Sequence, residues 1–505
     1  MEITDFSALI FTIFFIFLLL KLGIKHRIGY PSKSNLPPGP RKLPFIGNIH
    51  QLAGSLPHHV LRELAKKYGP LMHLQVGEVS TIVVSSPETA KEVMKTHDII
   101  FASRPHIIAS QIISYNSTNI AFAPYGEYWR QLRKICTLEL LSAKRVQSFH
   151  YIREEETSRM IQSIAGNGGE IINLTQKIYS AVSSIVLRAA FGGKCKDQES
   201  FVHVAVEAIK LGAGFSIPDI YPSIKFFHFF SGVKPKLERL LLQSDRILQN
   251  IVNEHKANYI TKKDEPEACK DLVDVLLKYL ESENGEFHLT EENIKAVLLD
   301  MFAAGTETSG TTIDWAMSEM LRNPTILKKA QEEVRQAFSS RGYINEEEFK
   351  DLKYLQAIIK ETLRLHPALP LLLPRENSER CEIGGYEIPL KTKIIVNAWA
   401  INRDSRYWQD AESFIPERFL DSSVDYKGTH FEYIPFGAGR RICPGMTSGL
   451  ANVEVILAKL LYQFNWDLPD GMEPEGLDMT EASGLTARRK ADLYLVPKLH
   501  NPLLV

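Results

Sequence analysis

Hydrophobic positions along the chain fall into three regimes. The first is an almost unbroken apolar run over residues 6–20 (FSALIFTIFFIFLLL), continued through Lys21 to residue 24. With Lys21 snorkelling toward an interface, this supplies about the 17–25 residues that a membrane-spanning helix needs. The second is the stretch 31–40 (PSKSNLPPGP), where successive prolines fix φ and remove donors, which predicts a short stiff spacer. The third begins at Phe45, beyond which apolar residues recur at helical spacing over 88–95, 128–141, 146–164, 236–259, 290–322, 325–339, 352–365 and 447–464. Short β-branched runs at 71–76, 81–84, 386–388, 393–397 and 493–496, flanked by Gly or Pro, predict strands. The expected fold class is therefore mainly α with a minor β-sheet. With no repeat and no further linker, the division expected is an anchor at 1–24, a basic and proline-rich hinge at 25–44, and one body over 45–505.

The charges around the apolar run give it a direction. Glu2 and Asp5 precede it, while Lys21, Lys25, His26 and Arg27 follow, so the positive-inside rule leaves everything downstream on the cytosolic side. A cleaved signal peptide would carry its basic residues before the run and a small-residue cleavage site after it, and the sequence has neither. Acidic residues number 60 and basic ones 59, with no basic block, which excludes the electrostatic footprint of a nucleic-acid binder. At 44% apolar and 24% charged, the composition is that of a chain with a packed core. Cys136, Cys195, Cys269, Cys381 and Cys443 are scattered without a C-x-x-C pair, against a disulfide framework or a thiolate zinc site and for a reducing compartment. In that topology the N-x-S/T triplets at Asn116 and Asn173 are not glycosylation acceptors. The chain also lacks a G-x-G-x-x-G after a strand, a Walker loop, H-E-x-x-H and G-x-S-x-G, so no nicotinamide or flavin site is recognisable.

Three clusters carry candidate chemistry. Around Cys443 the stretch FGAGRRICPG places two glycines and a proline beside one thiol, describing a tight loop that offers the sulfur outward just before a helix. The Gly445 amide would donate to that sulfur, and a helix N-terminus favours the thiolate. Taken alone, a structural cysteine is the commoner reading. Glu361 and Arg364 share one helix face, a spacing that usually makes a weak surface pair. The stretch Ala304-Gly-Thr-Glu-Thr308 puts a glycine and hydroxyls inside the longest helix, where Gly costs about 1 kcal/mol against Ala and Thr competes for backbone carbonyls. A plain helix kink or a functional groove would explain it.

The cysteine stretch matches F-x-x-G-x-R-x-C-x-G at every fixed position and so resembles the heme-binding loop of the cytochrome P-450 superfamily. From residue 37 onward the chain is similar to plant microsomal members, above all those oxidising sesquiterpenes and diterpenes. The resemblance implies a helix-rich triangular body and a heme b whose iron takes Cys443 as axial ligand, in a loop that includes Phe436 and Gly445. It also implies propionate partners at Arg441, Trp129, Arg133 (from W-x-x-x-R), Arg375 and, more weakly, Arg104. Glu361, Arg364 and Arg418 (in PERF) would form a buried structural network. Thr308, helped by Glu307, would deliver protons during oxygen activation. Val297, Met301 and Ala304 share a helix face with Thr308, and with Leu369, Leu371, Leu485 and Thr486 they form the expected substrate pocket.

The function implied is insertion of one atom of dioxygen into a C–H bond of a small apolar plant metabolite, a terpene, in one or several steps. Electrons would come from NADPH through a separate NADPH–cytochrome P-450 reductase, since no fused flavin domain fits, at an endoplasmic-reticulum membrane crossed once. Three alternatives stand beside it. One is an alkaloid or phenolic substrate, for which Ser483 or Thr486 would be the polar partner. The second is reductase-independent isomerisation or dehydration, and the third a non-enzymatic heme sensor. Glu307 and Thr308 favour oxygen activation over the last two, because only that reaction needs delivered protons.

Overall fold

The computed structural model describes residues 35–193, 197–212, 215–262, 271–281, 288–339 and 346–500. The expected anchor at 1–24 and the start of the hinge lie outside them, and among the described residues no helix is long and apolar enough to cross a membrane. Residues 35–40 run in extended form against the body: Pro38 accepts the His73 amide at 2.9 Å, and Asn35 accepts that of Glu387 at 2.8 Å. Gly39 lies so close to the His73 carbonyl that an added Cβ would sit 2.0 Å from its oxygen, so this approach needs glycine.

The helix Glu291–Arg322 is the spine. Its start is fixed by a capping box, in which Thr290 and Asn293 exchange side-chain and amide hydrogen bonds of 3.2 and 3.0 Å, with Glu291 and Glu292 in the positive first turn. Pro324 opens the following helix, Pro324–Phe338, at the position where its missing N–H costs nothing. The helices His150–Ala165, Leu174–Phe191, Lys353–Leu365 and Met446–Gln463 supply the main core packed around the spine's second half, including Ile178, Val182, Ile313, Met317, Ile358 and Leu457. A second core around its first half joins Phe201, Leu248, Leu276, Leu298 and Phe302, the rings of Phe201 and Phe302 stacking at 4.5 Å.

A four-stranded sheet lies to one side, in the order Leu71–Val76, Val79–Val84, Lys393–Val396, Arg375–Glu376. Its first pair is antiparallel with Leu71 opposite Val84, and Val79–Val84 runs parallel to Lys393–Val396 with Ile82 opposite Ile394. Smaller sheets pair Cys381–Ile383 with Tyr386–Ile388, and Tyr494–Leu499 with both Ile172–Asn173 and Phe464–Asp467. Every predicted strand is present.

The predicted helices are also present, with changes of detail. The one expected at 128–141 is α-helical over Glu127–Cys136 and then widens into a π-turn over Thr137–Leu141. The one expected at 146–164 breaks at Phe149 into Ala143–Ser148 and His150–Ala165. The helices Pro57–Tyr68, Leu174–Phe191, Gln198–Leu211 and Leu272–Glu281 were not predicted.

Candidate active site

The loop before Met446–Gln463 holds Cys443 as its sequence requires. The Cys443 amide donates to the Phe436 carbonyl at 3.0 Å, closing the loop on itself. Gly437 and Gly439 both have φ of 69°, and a Cβ on Gly439 would stand 2.0 Å from the Met94 carbonyl oxygen, so only glycine fits. Asp98, unforeseen from sequence, fastens the loop from outside by accepting the Arg440 amide at 2.9 Å. Burial pushes the Cys443 thiol up, while the Gly445 amide and the Arg133 guanidinium pull it down. The Gly445 amide thus acts on the sulfur as the loop pattern requires.

Four guanidiniums gather beside this loop. Arg441 donates to the carbonyls of Ala102 (2.6 Å), Ala123 (2.5 Å) and Ile120 (3.3 Å). Arg104 donates to Ala121, Leu373 and Pro374, Arg133 to Ile442 at 2.6 Å, and Arg375 to Ala438 at 2.8 Å. Among the described residues the carboxylate in ion-pair reach of these four is Asp98, 3.5 Å from Arg375. Burial, and then mutual repulsion, lowers the cluster: Arg441 falls to about 9, with Arg375 and Arg133 as its repelling neighbours, and Arg104 falls well below the usual range. Burial brings Arg375 down to about 10 against the pull of Asp98. Four cations, Arg375 and Arg441 buried and Arg104 and Arg133 half-buried, face Asp98 and the nearby Asp300, so the site carries an excess of positive charge that the two propionates of a heme would balance. The residues present therefore fit the group: Cys443 would hold its iron and the arginines its propionates.

Trp129 packs among these cations. Its indole N–H, the ring's single donor, goes to the Ile120 carbonyl at 3.0 Å, and its face lies 4.1 Å from the Arg441 guanidinium and 5.3 Å from that of Arg133. It stacks on two of the cations that would hold the propionates.

On the spine helix, Ala304 is exposed and the Thr308 hydroxyl donates to the Ala304 carbonyl at 2.8 Å. Glu307 is 3% exposed; its Oε1 accepts the Thr486 hydroxyl at 2.9 Å, and its Oε2 is buried with no hydrogen-bond partner. The glycines nearby have packing reasons. A Cβ on Gly305 would stand 3.2 Å from Val186, and one on Gly310 would stand 2.9 Å from the Tyr179 ring, so both admit side chains of Leu174–Phe191. Asp300, one turn before Ala304, accepts the Ala121 amide at 3.0 Å, and burial raises its carboxyl to about 6.

Glu361, Arg364 and Arg418 do meet in a buried network. Arg364 bonds both Glu361 oxygens at 2.7 and 2.8 Å, and Arg418 Nε reaches Glu361 Oε1 at 3.0 Å. The remaining Arg364 hydrogens go to the carbonyls of Asn402, Ala411 and Ser413, so all five of its donors are satisfied.

The expected pocket residues are divided. Leu371 and Leu485 line a cavity of about 330 Å³ with Ile49, Phe215, Ile220 and Lys393. Thr486 lines a second, of about 240 Å³, together with Glu307. Met301 is partly buried against the second core, and Leu369 is half-buried. Val297 corrects the helical-spacing expectation: it has no exposed surface and packs in the core with Leu298 and Phe302, because every residue of the spine from Ile294 to Leu299 is buried.

Comparison with known proteins agrees with this geometry. The cytochrome P450 family profile matches residues 37–495. Premnaspirodiene oxygenase of Hyoscyamus muticus is 52% identical over 498 residues, covering 98% of this chain and 99% of that protein. Desmethyl-deoxy-podophyllotoxin synthase of Sinopodophyllum hexandrum is 54% identical over 499 residues, covering 98% and 97%. A zebrafish cytochrome P450 solved with progesterone superposes with a TM-score of 0.76 at 23% identity, covering 88% of this chain and all of that one, and shares the fold. At this identity and coverage the conclusion is direct: the chain belongs to the cytochrome P450 family and is a heme-dependent monooxygenase.

Proposed function

We propose that the chain inserts oxygen into a weak, allylic-type C–H bond of a terpene hydrocarbon or lightly oxidised terpene, with electrons from NADPH through a separate reductase. When bound, the heme supplies the oxygen chemistry, in which a thiolate ligand favours O–O cleavage. The chain's own residues bind and orient. Cys443 and the four arginines seat the cofactor, Ala304 leaves the groove open, and Thr308 with Glu307 moves protons.

The observation that supports the substrate reading is the 330 Å³ cavity, which takes in Leu371 and Leu485 of the expected pocket but not Cys443, Ala304 or Thr308, and whose wall is mostly aliphatic and aromatic: Ile49, Leu52, Phe215, Ile220, Leu371 and Leu485. Desolvation then drives binding at about 25 cal/mol per Å² of apolar surface, and side-chain bulk chooses the position. Lys210, paired with Glu207 at 2.8 Å, and Lys393, lying over the Phe215 ring, also line it. One relative is named premnaspirodiene oxygenase and another desmethyl-deoxy-podophyllotoxin synthase, so the relatives are compatible with a terpene substrate without choosing its class. Titration of the heme-loaded protein is expected to give the low-spin to high-spin shift with sesquiterpene or diterpene hydrocarbons. A shift and turnover with phenolics or indole alkaloids, and neither with terpenes, would replace this reading with the alternative one.

The same proposal places the protein on the endoplasmic-reticulum membrane, anchored by residues 6–24 and facing the cytosol. A surface feature supports contact with lipid. Phe226, Phe229 and Phe230 are 55%, 69% and 73% exposed, and Lys234 lies over the Phe229 ring. Through Phe227 and Tyr221 this face joins Phe45, at the end of the hinge, where the Tyr221 and Phe45 rings stack at 5.1 Å. A chain lacking residues 1–24 is expected to float with lipid vesicles in part, and to lose that binding when the three phenylalanines become serine. Vesicle binding unchanged by those serines would remove the patch from the membrane contact.

A further inference from the structure

Glu307 is held by Thr486, which comes from a distant part of the chain. The two are 179 positions apart, and the hydroxyl-to-carboxylate bond of 2.9 Å is buried. Thr486 is itself fixed, because the next residue is bound on both sides of its peptide: the Ala487 amide donates to Ala368 at 2.9 Å, and its carbonyl accepts the Trp315 indole at 2.7 Å. A hydroxyl on so rigid a support sets the direction of the carboxylate it holds.

Held this way, Glu307 lines the 240 Å³ cavity with Val206, Ile209, Lys210, Arg488 and Lys490, and its Oε2 has no hydrogen-bond partner. The cavity has room for several waters, and its rim at Ser483, Gly484 and Lys490 is exposed. That oxygen is an acceptor with no protein donor, and because it is itself buried it meets the cavity's water as the Glu307 side chain turns.

We propose that Thr486 is a positioning residue for Glu307, and that the cavity beside it is where Glu307 takes up protons from solvent. Uptake adds one proton from a water to Oε2, and bulk solvent restores the water's proton through the rim. Passing that proton on toward the Thr308 groove returns the carboxylate to its starting form, and neither group is oxidised or reduced. The inference rests on Glu307 and Thr308 as the proton-moving pair, and it removes Thr486 from the substrate wall where the sequence had placed it.

The test uses the heme-loaded full chain with a reductase, comparing Thr486→Val, Thr486→Ser, Val206→Phe, Glu307→Gln and Thr308→Val. In Thr486→Val, product per NADPH is expected to fall about fivefold, the weight of one hydrogen bond, with more peroxide released. The carbon monoxide spectrum and the substrate titration are expected to stay unchanged, and Thr486→Ser to restore the ratio. A crystal structure of heme-loaded Thr486→Val is expected to show the Glu307 carboxylate turned away from its present position. Val206→Phe, which narrows the cavity without touching Thr486, is expected to lower the same ratio. Wild-type coupling in Thr486→Val, failure of serine to restore it, or an unmoved Glu307 overturns the positioning role. An unaffected Val206→Phe overturns the cavity as the proton source. Full coupling in Glu307→Gln and Thr308→Val would instead overturn the pair itself, which separates that failure from one of Thr486.

Discussion

Replacing Cys443 with alanine is expected to eliminate the thiolate-type band in the carbon monoxide difference spectrum while leaving part of the heme bound. The two effects separate because two sets of residues do the work. Cys443 is the loop's only sulfur, and of the other described cysteines Cys136 is fully buried in the second core while Cys381 pairs in a strand with Ile388. Neither replaces it. The arginine cluster is untouched by the substitution, and its need for negative charge persists, so propionate binding survives in weakened form. A normal thiolate band in the variant would end the assignment of Cys443. Loss of all heme, with the fold intact by circular dichroism, would mean that the arginines contribute far less than their burial implies.

Arg364→Ala is expected to leave so little folded protein that heme incorporation in cells falls close to zero. Glu361 and Arg364 are both fully buried, and removing the arginine leaves the carboxylate with the Ile415 amide at 2.8 Å and with Arg418, which lies 3.0 Å away and partly exposed, both on Oε1, while Oε2 loses the Arg364 Nε donor. Breaking a buried pair in this manner costs about 3–5 kcal/mol, against a total stability of about 5–15 kcal/mol for a folded protein. Lysine does not repair it. All five guanidinium hydrogens are in use, and an ammonium has three hydrogens on one centre, so at least two of the acceptors at Glu361, Asn402, Ala411 and Ser413 lose their donor. Holoprotein yield and urea unfolding of whatever is recovered measure the effect. Wild-type stability in Arg364→Lys would show that the fork geometry is dispensable.

Legibility in the sequence followed the distance over which each signal acts. The spine helix, Glu291–Arg322, is legible to within a residue at its start, because its apolar residues recur at helical spacing from end to end. Leu174–Phe191 was not read at all. Its Ile178, Val182, Ile185 and Leu187 are buried on more than one side, between His150–Ala165 and the spine, which removes the polar stripe that makes a helix recognisable. Its several serines and β-branched residues also lower helix propensity.

The site divides in the same manner. The cysteine loop and the Glu361–Arg364 pair are contiguous in sequence and were legible through their pattern. Asp98, which meets Arg440 across 342 positions, and Thr486, which meets Glu307 across 179, have no pattern of their own. Gly305 shows a further limit: its presence in a helix was a correct signal of something unusual, and the structure supplies Val186 as a packing partner that periodicity does not reveal.

The five-donor grip of Arg364 also bears on how the sequence around it is free to change over evolutionary time. Three of its five bonds go to main-chain oxygens, at Asn402, Ala411 and Ser413, so the guanidinium constrains the path of the chain there and leaves the identity of Ser413 open. The exposed Ser413 can be exchanged at little cost, whereas Ala411 is packed in the main core, and inserting or deleting a single residue between 402 and 413 would displace the carbonyls from a rigid planar fork. This stretch should therefore hold its length even where its exposed letters drift.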